Sequence, residues 1–151
     1  VKKLIVYIVG PILKTYWFIF RPETHGVKGL VVKDEKVLLV KTTYSKLFTL
    51  PGGGIKKAET AKAALIRELA EETGIKVIKC HLVGEYLNSK EYKNDHISLF
   101  YIDEFEDGDR PKTLEIDIAD FYLLKDLPKS TSPATLRRLK LDPQKVERGK
   151  W

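Results

Sequence analysis

A chain of 151 residues, 43% hydrophobic and 32% charged, suits one folded domain with its own core and excludes fibrous or wholly disordered classes. Its net charge of +6 favours anionic ligands, but no short stretch interleaves basic and aromatic residues, so DNA is not an expected partner and RNA is disfavoured. The lone cysteine, Cys80, excludes an intrachain disulfide and points to a reducing, cytoplasmic setting.

Residues 1–22 form the compositional oddity of the chain. Lys2 and Lys3 precede the apolar run Leu4–Leu13, and Lys14 separates it from the aromatic run Tyr16–Phe20. No small-residue cleavage site follows, and Pro11 and Lys14 interrupt the stretch, which argues against a signal peptide or a membrane span. The expectation is an apolar or amphipathic helix, packed on the domain or on a partner in a homodimer; contact of residues 4–20 with a membrane surface is the second reading.

Residues 23–151 are expected to make up one domain. Gly26–Val32 and Lys36–Lys41 read as strands joined by the polar turn Lys33-Asp34-Glu35, and Leu47–Leu50 as a short strand ending at Pro51 and Gly52–Gly54. Thr60–Thr73 has strong helix composition, with Thr60 placed as N-cap and Gly74 as the left-handed closing residue. Lys76–Leu87, His96–Phe105 and Glu115–Leu124 are further strand candidates. Ser132-Pro133-Ala134 opens a last helix, and the polar tail from Asp142 is expected to be loosely held. The order predicts an α/β domain with a mixed sheet and helices on its faces. His25, His81 and His96 lack zinc-ligand spacing.

The helix carries the chemistry. Glu68, Glu71 and Glu72 stand at i, i+3 and i+4, so their carboxylates share one sector of its surface. They repel one another and sit at the helix end where the macrodipole disfavours anions. A hard divalent cation would reverse the sign of each of these effects, and such ions take oxygen ligands from carboxylates and substrate phosphates. A solvated acidic face is the alternative. The preceding glycines permit close backbone approach to a ligand but do not make a P-loop, because no Gly-Lys-Ser/Thr follows.

Loop and helix together are more specific. Gly53, five residues, Glu59, seven residues, then Arg67-Glu68-Leu69-Ala70-Glu71-Glu72-Thr73-Gly74-Ile75 resembles the Nudix box at every specified position. The resemblance implies the family's α/β/α sandwich with a mixed sheet, plus hydrolysis of a phosphate anhydride bond in a nucleoside diphosphate linked to another group. Mg²⁺, with Mn²⁺ as substitute, is the implied cofactor. Carried over, Glu68, Glu71 and Glu72 are metal ligands, Arg67 orients Glu68, Glu59 supports the junction of loop and helix, and the Gly53 carbonyl adds a metal ligand between Gly52 and Gly54. A further catalytic acid from outside the box is common in the family, and Glu115 is the first choice, ahead of Asp95, Asp103 and Glu104.

Substrate markers lie beyond the box. A proline typical of ADP-ribose pyrophosphatases is replaced by Glu91, whereas a tyrosine typical of diadenosine polyphosphate hydrolases is matched by Tyr92. Tyr92 and Phe121 are candidates for stacking on a base, although aromatics in strands more often pack in the core. A non-catalytic nucleotide sensor and an RNA 5′-end pyrophosphohydrolase are the alternative functions; a degenerate sensor would be expected to have lost a box carboxylate, and none is lost.

Overall fold

The computed structural model describes residues 23–88 and 94–151, so the apolar segment 1–22 and Tyr92 lie outside the described residues. Strands β1 (Glu23–Lys33), β2 (Lys36–Thr42), β3 (Lys76–Asn88), β4 (Asn94–Glu106), β5 (Ile116–Leu123) and β6 (Glu147–Lys150) accompany helices α1 (Ala61–Thr73) and α2 (Pro133–Arg138). They form a mixed sheet in the order β5-β2-β1-β4-β3-β6. The β1–β4 and β3–β6 pairs are parallel, and the β1–β2, β2–β5 and β3–β4 pairs antiparallel.

Alternation along β1 builds both layers of core. Val27 and Val31 join Ala64, Leu65 and Leu69 of α1, with Ile75, Phe100 and Ile102, on one face. Leu30 joins Val37, Leu39, Phe48, Leu50, Val83, Tyr86 and Leu99 on the other, where Leu139, Leu141 and Trp151 also pack. The fold is thus an α/β/α sandwich. Each fully buried leucine of α1 contributes about 2 kcal/mol from area removed from water.

Helix α1 starts and stops as its sequence dictates. The Thr60 hydroxyl accepts from the Ala63 N–H at 3.2 Å, and Gly74 closes the helix at φ 77°. Leu47–Leu50 makes only isolated bridges, Thr49 with Val40 and Phe48 with Thr131. The tail departs from expectation: Glu147–Lys150 pairs with β3 through Gly84–Leu87, and Trp151 stacks edge-on to Tyr86 at 5.6 Å. A polar strand can dock at a sheet edge because backbone hydrogen bonds need no apolar side chains, while the one large aromatic supplies the burial.

Candidate active site

The loop before α1 lies against β1 along its backbone. The Val27 N–H donates to the Gly53 carbonyl and the Gly29 N–H to the Pro51 carbonyl, both at 2.9 Å. Gly52 has φ 131°, and a Cβ there would stand 2.2 Å from the Val27 oxygen, so a side chain is excluded twice over. At Gly53 a Cβ would collide with the Glu68 carboxyl group at 2.6 Å. The loop glycines therefore let backbone, β1 and a helix carboxylate meet at one place.

Arg67 organises the box. It grips Glu59 with two hydrogen bonds, Nε to Oε1 at 2.8 Å and Nη2 to Oε2 at 2.9 Å. It also donates to Glu68 at 2.6 Å, Glu71 at 3.3 Å and the Gly54 carbonyl at 3.0 Å. This guanidinium holds the Glu59 carboxyl down at about 2, helped by the Lys56 N–H. Glu59, through Lys56 and Arg67, thus ties the loop to the helix. The repulsion within the glutamate row is in part offset inside the protein, since one cation binds two of the three.

The row also divides. Glu68 and Glu72, one turn apart, border the buried stripe of Leu65 and Leu69 and face the same cavity. Glu68 is 15% exposed, and Glu72 accepts from the Gly52 N–H at 2.8 Å. Burial pushes the Glu72 carboxyl up to about 7, against the pull of the Lys28 ammonium and the Gly52 N–H. Glu71 turns further around the helix and is 58% exposed; it does not line the cavity.

That cavity, about 420 Å³, is lined by Lys28, Val40, Thr42, Tyr44, Thr49, Gly52–Gly54, Glu68, Glu72 and Glu115. Glu115 reaches it from the loop before β5, where its carbonyl accepts from the Thr43 N–H at 2.8 Å. The Tyr44 hydroxyl donates to the Glu115 carboxylate at 2.7 Å, while the Tyr44 ring is 76% exposed at the rim. The structure therefore brings Gly52–Gly54, Glu68, Glu72 and Glu115 together around one space, with Arg67 and Glu59 behind them. It does not bring Phe121 there. Phe121 stacks on Phe105, centroids 6.2 Å apart, and borders a separate surface cavity with Lys33, Asp34, Lys36 and Asp107. Among the other acids considered, Asp103 binds His81 at 2.8 Å and Asp95 borders a neighbouring cavity.

Sequence reasoning missed Lys28 and Tyr44. Lys28 leaves a signal, a single charge inside the apolar run Gly26–Val32. Its half-buried ammonium donates to the carbonyls of Leu50 and Gly52, each at 2.9 Å, and burial pulls it below the ordinary lysine range despite Glu72, Glu68 and Glu115 nearby. Tyr44 leaves no signal, because its partner Glu115 is remote in the chain.

A family model for the NUDIX domain matches residues 23–142. The chain belongs to the Nudix family. It is a Nudix hydrolase, an enzyme class that cleaves pyrophosphate bonds in nucleotide substrates with the help of divalent metal ions. An ADP-ribose pyrophosphatase of Methanocaldococcus jannaschii is 33% identical over 121 residues, which cover 78% of this chain and 71% of that protein. An 8-oxo-dGTP diphosphatase of Buchnera aphidicola is 33% identical over 88 residues, covering 56% of this chain and 68% of that one. The crystal structure of a MutT NUDIX hydrolase from Burkholderia pseudomallei shares the fold, with a TM-score of 0.69 at 22% identity over 80% of this chain and 98% of that one. Among the described residues no helix is long and apolar enough to cross a membrane.

The residues of this Nudix site fit a hard cation by donor type. Its acids are carboxylates with backbone carbonyls beside them, and among the described residues no sulfur or imidazole joins the lining. Among the described residues no three His, Cys, Asp or Glu side chains are placed to hold an ion by themselves. An open set of this kind suits an ion that completes its shell with substrate phosphates and water.

Proposed function

We propose that this Nudix hydrolase cleaves the pyrophosphate bond of a nucleoside diphosphate joined to a second group, with Mg²⁺ as its ion and ADP-ribose as the representative substrate. The observation that carries this reading is the cavity lined both by Glu68 and Glu72 of α1 and by Glu115 from the loop before β5. The relative named an ADP-ribose pyrophosphatase supports the choice of ADP-ribose. Position 91, where a proline marks many such enzymes, is Glu91 here and argues for a substrate range wider than ADP-ribose alone.

Glu68 and Glu72 would hold the ion from one wall, with the Gly53 carbonyl beside them; Glu71, also a ligand in the family pattern, would need to turn inward from its exposed position. When bound, Mg²⁺ supplies charge neutralisation on the phosphates and acidifies water. Arg67 keeps Glu68 in one orientation through their charge-assisted hydrogen bond. Glu115, in the same cavity and aligned by Tyr44, accepts the proton of the attacking water.

The test is a hydrolysis panel with Mg²⁺: ADP-ribose, a nucleotide sugar, a dinucleoside polyphosphate, canonical and oxidised nucleoside triphosphates, and 5′-triphosphate RNA. ADP-ribose and its analogues should turn over fastest, and Glu72→Gln should abolish most turnover while leaving the fold intact. An unimpaired Glu72→Gln enzyme would sink the site assignment. Preference for 5′-triphosphate RNA, with turnover falling steeply in salt, would replace the substrate.

A further inference from the structure

Among the described residues Lys28 is the one cation lining the acidic cavity, and its geometry is not explained by holding the loop alone. The loop is already fastened to β1 by backbone bonds on either side of Lys28, from Val27 and Gly29 to the carbonyls of Gly53 and Pro51. A neutral residue at position 28 would leave both in place. A lysine adds the desolvation of an ammonium, felt in its depressed proton affinity.

An ammonium has three N–H donors. Two are used by the carbonyls of Leu50 and Gly52. Glu68, Glu72 and Glu115 influence the ammonium through space, yet none hydrogen-bonds to it. Among the described residues the third donor has no partner and is left for the cavity. Lys28 also stands between two spaces, since it lines both the acidic cavity and a neighbouring one of about 290 Å³ bounded by Thr24, His25, Asp95 and Ile97. Gly52–Gly54 are shared by the two. A molecule with two bulky halves joined by a diphosphate would place the diphosphate over Lys28 and the glycines.

We propose that Lys28 binds a phosphate oxygen of the substrate through its third ammonium hydrogen, as a built-in cation beside the carboxylates. The assignment rests on the reading that the substrate is a nucleoside diphosphate joined to a second group. It has a distinctive electrostatic consequence. Lys28 repels a divalent ion brought to the same carboxylates while it attracts the phosphate, so its removal acts on the two ligands with opposite sign.

The test compares wild type with Lys28→Met, which keeps the length of the stem and drops the charge. Free Mn²⁺ is titrated by electron paramagnetic resonance without nucleotide, and a non-hydrolysable α,β-methylene analogue of ADP-ribose by calorimetry. Lys28→Met should bind Mn²⁺ as tightly as wild type or more tightly, and bind the analogue at least tenfold more weakly. A parallel loss of both affinities would mean that Lys28 only holds the loop, and an unchanged analogue affinity would mean that it does not touch phosphate; either overturns the proposal. If Lys28→Met fails to fold, the wild-type protein carrying ¹⁵N at lysine Nζ decides. The Lys28 resonance should move on adding the analogue and not on adding adenosine, and a resonance indifferent to both overturns the assignment. Wild-type turnover on the substrate panel tests the functional reading separately.

Discussion

Two arginines in this molecule solve the problem of a covered guanidinium in opposite ways. Arg67 spends its donors on Glu59, Glu68, Glu71 and the Gly54 carbonyl, and the carboxylates raise its proton affinity further. Arg138, deeply buried beside β3 and β6, lies 3.7 Å from the Tyr86 ring centroid and 5.1 Å from that of Trp151. One of its Nη atoms donates to the Lys150 carbonyl, while Nε finds no partner among the described residues. Burial lowers its proton affinity. The first arginine orients carboxylates of the candidate site, whereas the second staples a tail to a sheet through ring faces. A cation among carboxylates should matter to rate; a cation among rings should matter to stability.

Arg67→Lys should break the first half of that comparison most visibly. A lysine keeps the charge but cannot grip Glu59 with two bonds and still reach Glu68, so kcat should fall about 100-fold, the scale of a misplaced catalytic group. Thermal melting should change little, and a melting point that falls in step with kcat would show Arg67 to be architectural. Tyr44→Phe keeps the exposed ring and deletes the bond to Glu115. Its kcat/KM should drop about tenfold, which corresponds to roughly 1.4 kcal/mol for a hydrogen bond to a charged group. An unaltered value would detach Tyr44 from catalysis.

On the tail side, Arg138→Met should lower stability by about 2 kcal/mol through lost ring contacts and the Lys150 bond, while kcat stays within about twofold. Denaturant unfolding and steady-state kinetics on one preparation would check both. The smallest effect concerns His81, whose imidazole bonds Asp103 at 2.8 Å and the Pro143 carbonyl, at the start of the tail, at 2.7 Å. Asp103 first, then the Pro143 carbonyl, raise its pKa above the ordinary histidine value. The protonated form is thus favoured by folding, and its stabilising contribution is complete below the unfolded pKa and lost as pH rises through the folded one. Melting temperature should decline slightly across that window in wild type and lose this component in His81→Gln.

Helix α1 was legible in the sequence because its determinants are local. Thr60, the leucine stripe, the glutamate row and Gly74 all act within a few turns, and the structure places them as spacing predicts. The same spacing overstated the unity of the glutamates. Positions i, i+3 and i+4 are neighbours, but the cavity wall takes Glu68 and Glu72 and leaves Glu71 in solvent beside Arg67. Phe121 shows the limit from the other side. It is an aromatic in a strand, and its register opposite Leu38 sends it to Phe105, so packing claimed it before the cavity could. The polar tail misled because composition records side chains, whereas β6 docks through its backbone and through Trp151.

The sequence by itself determined the family, the bond type and the helix that carries the acids, since each is written in residues close together along the chain. Only the tertiary structure decided which carboxylates share a cavity, that Glu115, bonded by Tyr44, is one of them, and that Lys28 stands among them. Those three facts depend on strand pairing and loop docking between segments far apart in sequence. Alternation puts Lys28 on the Leu30 side of β1, opposite the Val27 and Val31 side that packs on α1. Which side meets the loop carbonyls of Leu50 and Gly52 is settled only once the sheet is assembled.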